Sequence, residues 1–290
     1  MQPFMLPALE KMGRLALARK GLRSDWVETG LGRMHLYDGK GSGRGPTMVV
    51  MHGFGSTATA FGRLLVHLAP HVERLVAPDM IGHGWSDPPR ASVTPDALFA
   101  ATKEGLDRHM KEPFVLYGSS LGGAFSLKYA LERPERVRAL VLVSPGGAAM
   151  AEADLQEVLA HFRMRSNGDT RAFLDKLYHR RPWYSTLLAP EIRRMFDREV
   201  ILDFLRTTRA EDTLRAEDLA RLEVPILLVW GKSERLLPRE SLAFFRRALP
   251  AHTTFVEPEG MAHCPHLDDP KGLADIVAGF VRGLRPVRDG

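Results

Sequence analysis

The sequence contains a single cysteine, Cys264, and no long apolar run. One cysteine excludes an intrachain disulfide and a zinc site built from cysteine ligands. No segment approaches the roughly 18 consecutive apolar residues that a membrane-spanning helix needs. The amino-terminal region lacks the basic lead and apolar run of a cleaved signal peptide, and Pro3 and Pro7 interrupt it. We therefore expect a cytoplasmic protein, for which association with the inner face of a membrane is a further option.

The excess of basic charge is concentrated at the amino terminus. The formal net charge is +5, from 40 Lys and Arg against 35 Asp and Glu. Residues 1–23 contain one acid, Glu10, and five basic residues: Lys11, Arg14, Arg19, Lys20 and Arg23. Basic and aromatic residues are not interleaved elsewhere, so no nucleic-acid partner is expected. The arm has an amphipathic helical pattern, which indicates either peripheral contact with an anionic membrane or packing on its own domain or a partner chain.

The body of the chain alternates buried-strand and amphipathic-helix patterns. This alternation predicts an α/β fold with a parallel sheet and helices on both faces. After an apolar run at 46–55, the predicted strands cover 74–80, 113–118, 137–145, 224–231 and 252–257, and the predicted helices cover 59–69, 95–111, 121–132, 240–249 and 269–284. Residues 146–215 have helical patterns and no comparable strand, so we predict a helical insertion there.

Two adjacent serines follow the strand that ends near Gly118, and only one fits a G-x-S-x-G motif. Ser120 is flanked by Gly118 and Gly122, whereas Ser119 has Tyr117 and Leu121 two residues away. A nucleophile on a tight strand-to-helix turn needs glycines at those positions, because side chains would collide with neighbouring backbone. Ser120 is the predicted nucleophile. A glycine-rich turn whose serine only caps the helix is the alternative.

A serine hydroxyl needs a histidine to accept its proton. His263 lies in the loop between the last predicted strand and helix, at the carboxyl edge of the sheet where Ser120 lies. His266, three residues later, is the rival candidate for the base, but it stands where the final helix begins, so a structural role is favoured for it. His52 and His83 are predicted to shape glycine-rich turns.

An acid must orient the histidine, and anion-stabilising groups must face the substrate. Glu234 follows the strong strand pattern of 224–231, and the alternative for it is a loop ion pair with Arg235. The backbone N–H groups of Leu121, after the nucleophile, and of Phe54, in His52–Gly55, are the predicted oxyanion donors. An ordinary glycine turn is the alternative for that second segment.

Five motifs together resemble the α/β-hydrolase superfamily over about residues 24–285. They are HGFG, APDMIGHGWSD, GSSLGG, WGKSERLLP and AHCPHLDDP, and the order serine, acid, histidine is also that of the superfamily. The resemblance implies the α/β-hydrolase fold, a mostly parallel eight-stranded sheet with a helical cap after the sixth strand. It implies a core at 24–145 and 216–290, a cap at 146–215 and a separate arm at 1–23. Two departures are Glu234, where aspartate is usual, and Ala262, where glycine is common.

Within the superfamily, the motifs look most like bacterial lipases, carboxylesterases and monoacylglycerol lipases. Serine at position 120 disfavours haloalkane dehalogenases and epoxide hydrolases, which use aspartate there. The implied activity is hydrolysis of a small-molecule or lipid carboxylic ester, of medium acyl chain or a monoacylglycerol, through an acyl-enzyme. Hydrolases of carbon–carbon bonds in ring-fission products, and ligand receptors without activity, are the alternatives. No metal or organic cofactor is implied.

The cap contains aromatic and apolar residues that are candidates for an acyl pocket, among them Phe162, Trp183 and Tyr184. The same residues could instead form a small core of the cap. An apolar acyl group suits the composition of the cap in either case.

Overall fold

Eight strands form one sheet in the computed structural model, which describes residues 4–284. In chain order the strands are β1 (Arg23–Thr29), β2 (Gly32–Lys40), β3 (Met48–Met51), β4 (Arg74–Pro78), β5 (Phe114–Ser119), β6 (Val137–Val143), β7 (Ile226–Val229) and β8 (Thr254–Val256). Their spatial order is β1-β2-β4-β3-β5-β6-β7-β8. β2 pairs antiparallel with β1 and β4, and all other pairs are parallel. The predicted mostly parallel eight-stranded sheet is confirmed.

The central strands are short apolar segments buried on both faces. Every residue of β3, β5 and β7 is buried, as expected for strands covered by helices on both sides. Their register aligns their carboxyl ends: Met51 lies opposite Gly118, and Val143 lies opposite both Ser119 and Val229. The loops that follow these strands therefore emerge at one edge of the sheet.

The antiparallel strands β1 and β2 lie where no strand is predicted from the sequence. β1 is an edge strand of mostly polar residues, and most of its side chains are exposed or half-buried. An edge strand gains its stability from pairing with its neighbour more than from burial, so its apolar pattern is weak.

Twelve α-helices are present in the described part of the chain. They are α1 (Met5–Arg19), α2 (Gly62–Leu68), α3 (Pro95–His109), α4 (Leu121–Glu132), α5 (Glu152–Ala160), α6 (Asn167–Leu177), α7 (Ser185–Phe196), α8 (Glu199–Thr207), α9 (Ala216–Leu219), α10 (Arg239–Ala248), α11 (Pro265–Asp268) and α12 (Pro270–Arg282). α2 and α12 pack on one face of the sheet, and α3, α4 and α10 pack on the other, giving two buried apolar layers. The prediction of helices on both faces is confirmed.

Between Val143 and Ile226, a stretch that the structure describes in full, the chain forms helices α5 to α9 and no strand. The predicted helical insertion after the sixth strand is confirmed. Its buried side chains, Phe162 and Phe204 among them, join the apolar layer that α4 forms on the sheet.

The amino-terminal helix α1 packs against α7 and against the short 3-10 turn Ala58–Phe61. Residues 1–3 of the predicted arm and 285–290 of the predicted core lie outside the described residues. None of the helices within residues 4–284 combines the length and the apolar character needed to cross a bilayer.

The loop that carries His263 is anchored to the body by an aromatic stack. The imidazole of His266, in α11, lies parallel to the Phe61 ring with centroids 3.8 Å apart. His266 is buried, and burial, with a smaller contribution from the charge of His263, lowers the pKa of His266 from 6.5 to about 3. The neutral ring is therefore the form that packs against Phe61.

The substitution His266→Phe should make the fold less sensitive to acid. Because the pKa of His266 is lower in the folded state, its contribution to stability is complete above its ordinary pKa of 6.5 and is lost as the pH falls toward 3. At about pH 5 this loss reaches about 2 kcal/mol in the wild type and is absent from the variant. Urea denaturation at about pH 8 and pH 5 measures it, with the higher pH as control; an equal loss of stability in both proteins would contradict the assignment.

Candidate active site

Ser120 occupies a strained turn between β5 and α4. Its φ of 52° lies in the left-handed region, which is costly for a residue with a side chain. A Cβ atom on Gly118 would lie 2.3 Å from the Gly122 carbonyl oxygen, and one on Gly122 would lie 2.5 Å from the His52 carbonyl oxygen. Both glycines are therefore required by close backbone contacts. The Leu121 N–H is the first of α4, where backbone N–H groups have no partner within the helix.

The segment His52–Gly55 approaches the Ser120 turn closely. A Cβ atom on Gly53 would lie only 3.1 Å from the Ser120 Cβ and 3.7 Å from its Oγ, so glycine permits this approach. The Phe54 backbone thus stands beside the serine, and the Phe54 side chain lines the cavities around it.

Two buried histidines fix this segment, in the loop-shaping role predicted for them. His52 Nε2 accepts the Met80 N–H at 3.0 Å, and His83 Nε2 accepts the Gly55 N–H at 3.2 Å. Burial lowers the pKa of both imidazoles, and for His83 the charge of His52 lowers it further. Both rings are consequently neutral, which provides the lone pairs that these two hydrogen bonds need.

The loops after β7 and β8 bring Glu234 and His263 into contact. His263 Nδ1 lies 2.8 Å from Glu234 Oε2, and both side chains are almost fully buried. Glu234 Oε1 accepts the backbone N–H groups of Leu236 at 2.8 Å and Leu237 at 3.1 Å. Burial alone would raise the pKa of Glu234, but the charge of His263 and the hydrogen bonds outweigh it, so the pKa is lowered and the carboxylate is ionised.

This arrangement differs from the alternative in which Glu234 pairs with Arg235. The Arg235 guanidinium donates to the carbonyl oxygen of Tyr178. With Nδ1 engaged by Glu234, the Nε2 atom of His263 is the ring nitrogen left to act on a substrate, and His263 lines the same cavity as Ser120.

Asp268, which the sequence analysis does not single out, holds the His263 loop. Its Oδ2 accepts the Ala262 N–H at 2.8 Å, and its Oδ1 accepts the His179 N–H at 2.9 Å. His179 Nδ1 in turn lies 2.7 Å from the Ser233 hydroxyl, beside Glu234. Contacts between the helical insertion and both loops thus fix the histidine and the acid. The only signal in the sequence for this role of Asp268 is the segment Leu267–Asp269 after His263, and the start of the final helix accounts for that segment equally well.

Ser120 lies where two cavities meet. The smaller, of about 120 Å³, is lined mainly by apolar side chains, many of them from α4, α5 and α8, and no histidine is among its lining residues. The larger, of about 330 Å³, contains His263 and is walled by α6, α7 and α1. Phe54 and Phe162, whose rings pack edge to face at 5.4 Å, line both cavities and stand between them.

Of the three cap residues predicted to bind substrate, the structure brings only Phe162 to the cavities. Trp183 is 80% exposed and Tyr184 is 53% exposed, and neither lines either cavity. The reason is the orientation of α7, which turns Leu188 and Ile192 toward the larger cavity and leaves the residues before its first turn outside.

One acid enters the larger cavity from an unexpected element. Glu10, on α1, lines it and accepts the hydroxyl groups of Thr57 and Thr59 at 2.6 Å each. Burial raises the pKa of Glu10 against the opposing effect of these hydrogen bonds.

Within residues 4–284, no group of three or more His, Cys, Asp or Glu side chains has an arrangement that could hold a metal ion.

Comparisons with known proteins agree with the fold. The model of the alpha/beta hydrolase family matches residues 48–276. A pimeloyl-[acyl-carrier protein] methyl ester esterase of Aeromonas salmonicida is 28% identical, covering 82% of this chain and 96% of the relative. Lipase 1 of Psychrobacter immobilis is 25% identical, covering 84% of this chain and 80% of the relative.

A solved structure of a bacterial membrane phospholipase A shares the fold, with a TM-score of 0.80 and 24% identity over 98% of this chain and 92% of that one. Because the family model spans most of the sequence, including the segments that carry Ser120, Glu234 and His263, membership does not rest on any single motif. The chain belongs to the alpha/beta hydrolase family.

Proposed function

We propose that the chain hydrolyses carboxylic esters through an acyl-enzyme, with Ser120 as nucleophile, His263 as base and Glu234 as orienting acid. The observation that carries this proposal is the buried His263–Glu234 pair, whose histidine lines the same cavity as Ser120 in its strained turn. At the level of class the activity is that of a carboxylic-ester hydrolase, since the relatives with functional names are an esterase and lipases. The triad and the substrate are the proposed part.

In the first half of the reaction, Ser120 Oγ attacks the ester carbonyl carbon while its proton passes to His263 Nε2. The Glu234 carboxylate stabilises the resulting imidazolium and keeps Nδ1–H in place. The negative oxygen of the tetrahedral intermediate accepts the backbone N–H groups of Phe54 and Leu121, of which each typically contributes about 3 kcal/mol in such sites. Collapse of the intermediate breaks the ester C–O bond, and His263 returns the proton to the departing alkoxide.

In the second half, a water molecule takes the place of the alcohol. It transfers one proton to His263 as its oxygen attacks the acyl carbon, and the same two N–H groups stabilise the second intermediate. The bond to Ser120 Oγ then breaks, His263 reprotonates the serine, and the carboxylic acid leaves.

The two cavities suggest how the ester lies in the site. Since His263 must protonate the leaving oxygen, the alcohol belongs in the larger cavity, which His263 lines. The acyl group then lies in the smaller cavity, whose walls include Phe125, Leu155 and Leu159. The predicted cap, residues 146–215, would thus supply part of both walls.

The lining of the two cavities supports medium-chain acyl esters, including monoacylglycerols. The acyl cavity is mainly apolar and of limited volume, which suits a hydrocarbon chain of medium length better than a long one. The alcohol cavity contains polar groups, among them Thr57, Tyr178 and Glu10, that suit the free hydroxyls of a glycerol. Peripheral contact with a lipid surface through residues 1–23 is part of this proposal.

The first test is hydrolysis of a graded series of acyl esters by the wild type and by Ser120→Ala. We expect a maximum at medium chain length and loss of at least about 10³-fold in kcat for the variant. A fluorophosphonate should label the wild type and not the variant. A folded wild type that neither labels nor cleaves any ester would favour carbon–carbon hydrolysis or ligand binding instead.

The acid is tested by Glu234→Gln and Glu234→Asp. The amide cannot stabilise the imidazolium or fix the Nδ1–H tautomer, so kcat should fall by about 10³ to 10⁴-fold. Aspartate keeps the charge with a shorter reach and should retain intermediate activity. Glu259→Gln, which changes an exposed carboxylate in the loop that carries His263, is the control. Full activity in Glu234→Gln would remove Glu234 from the mechanism.

The orientation of the substrate is tested by filling one cavity at a time. Leu159→Trp should shift the preferred acyl chain to shorter esters at constant alcohol, because it narrows the acyl cavity. Ile192→Trp, in the larger cavity, should leave acyl preference unchanged and discriminate among alcohols. Each variant is assayed against matched series of acyl and alcohol groups, and the opposite assignment of effects would reverse the proposed orientation. Overpacking should cost each protein about 1–3 kcal/mol of stability.

A further inference from the structure

Helix α1 is attached to the protein along one stripe of residues. Glu10 binds the hydroxyls of Thr57 and Thr59, and Leu17, two turns later on the same stripe, is buried. A Cβ atom on Gly13, between them, would lie 3.2 Å from the Thr59 Cβ, so the helix backbone approaches closely there. At the amino-terminal end, Glu191 of α7 accepts the backbone N–H groups of Phe4, Met5 and Leu6.

Several large apolar side chains in or next to α1 lie outside this attachment. Met12 is 65% exposed and Leu9 is 49% exposed, and Phe4, Met5 and Leu15 are exposed as well. The helix is therefore apolar on its outer side too, although the attachment stripe already packs it on the body. Large exposed apolar side chains grouped in this way mark an interaction site.

The start of α7 extends this apolar surface. Leu187 lies one helical turn before Glu191, which binds the first residues of α1, and Leu187 is exposed. Trp183 and Tyr184, exposed and outside both cavities, directly precede the same helix. We call the combined set the rim surface; it consists of Phe4, Met5, Leu9, Met12, Trp183, Tyr184 and Leu187.

The rim surface is continuous with the mouth of the larger cavity. Leu9 belongs to both, since it is half exposed and also lines the cavity that contains Ser120 and His263. Leu6 and Glu10 line the same cavity from deeper positions on α1. An occupant of the rim surface therefore lies at the opening of the cavity in which, under the proposed orientation, the alcohol group lies beside His263.

The charges around α1 indicate which occupant fits. Lys11, Arg19 and Lys20 are exposed, and the one acid of residues 1–23, Glu10, is directed into the protein. Basic side chains beside exposed Leu, Met and Trp are the combination found where helices lie in the interface of an anionic bilayer. Tryptophan and tyrosine are also the aromatic residues enriched at that depth.

We infer that the rim surface docks the protein on an anionic lipid bilayer, with the mouth of the alcohol cavity facing the lipid. This inference rests on the proposed ester hydrolase function only in naming the substrate, a lipid-borne ester that enters from the bilayer. The docking itself needs no catalysis. It assigns Trp183 and Tyr184 to the membrane contact and gives α1 two functions, a wall of the cavity and an anchor.

The test is co-sedimentation of the full chain with vesicles of equimolar phosphatidylcholine and phosphatidylglycerol. We expect the wild type to bind and the triple variant Met5→Ser, Met12→Ser, Leu187→Ser to bind at least about tenfold more weakly, because three apolar side chains leave the interface. Leu202→Ser, which removes an exposed leucine outside the rim surface, should bind as the wild type does. Removing residues 1–23 would be a poor test, because it would also remove a wall of the cavity.

A second variant tests the charge. The triple variant that combines Lys11→Gln, Arg19→Gln and Lys20→Gln should bind the anionic vesicles at least about tenfold more weakly than the wild type. Its binding to vesicles of phosphatidylcholine alone should change little. Hydrolysis of a short water-soluble ester should be unchanged in both multiple variants, which shows that they are folded. If the wild type binds vesicles but cleaves no ester, the docking stands and the proposed function fails.

Two outcomes would overturn the inference. One is a wild type that does not bind the equimolar vesicles, or a triple variant that binds them equally well. The other is a wild type that is dimeric by light scattering and a triple variant that is monomeric, with vesicle binding absent from both; the rim surface would then be an interface between two copies of the chain.

Discussion

The whole site depends on the register of the parallel strands β3, β5, β6 and β7, whose carboxyl ends meet at one edge. That register sets the turn after β3 against the turn after β5 so closely that Gly53 and Ser120 nearly touch. It also places the loop after β7, with Glu234, within reach of the loop after β8, with His263. The reactive groups come from distant parts of the sequence, and the sheet is the element that they share.

Burial then gives the histidines of this edge different properties. His52, His83 and His266 have no carboxylate partner among their described hydrogen bonds and have lowered pKa values, so they serve as neutral acceptors or packing groups. His263, unlike these three, has a carboxylate partner, because the ionised Glu234 faces its Nδ1. The longer reach of glutamate is accommodated because its second oxygen is fixed by backbone N–H groups of its own turn.

Features with a local cause could be read from the sequence. The parallel core and the insertion after the sixth strand follow from apolar runs and helical periodicity, and the glycines around Ser120 follow from backbone contact within one turn. Features with a non-local cause could not. Asp268 joins the His263 loop to His179, which lies 89 residues before Asp268 in the sequence. The orientation of α7 is set by its contacts with other elements, which the sequence of α7 itself does not reveal. From the sequence, Trp183 is a candidate for the acyl pocket or for a core of the cap, because an aromatic side chain in a cap has no local signal for inside or outside. In the structure it is exposed.

The amino-terminal helix shows why such ambiguity can itself be informative. From the sequence, its apolar residues suit contact with a membrane, with the protein's own domain or with a partner chain, and the pattern does not separate these. In the structure one face of the helix, with Glu10 and Leu17, packs on the body, and another, with Met12, is exposed. A helix that only packed would gain nothing from exposed methionine and leucine, and a helix that only anchored would have no use for a buried carboxylate at the cavity wall. Under the proposals made above, the two faces together connect a surface that docks on lipid with a cavity in which an ester is cleaved.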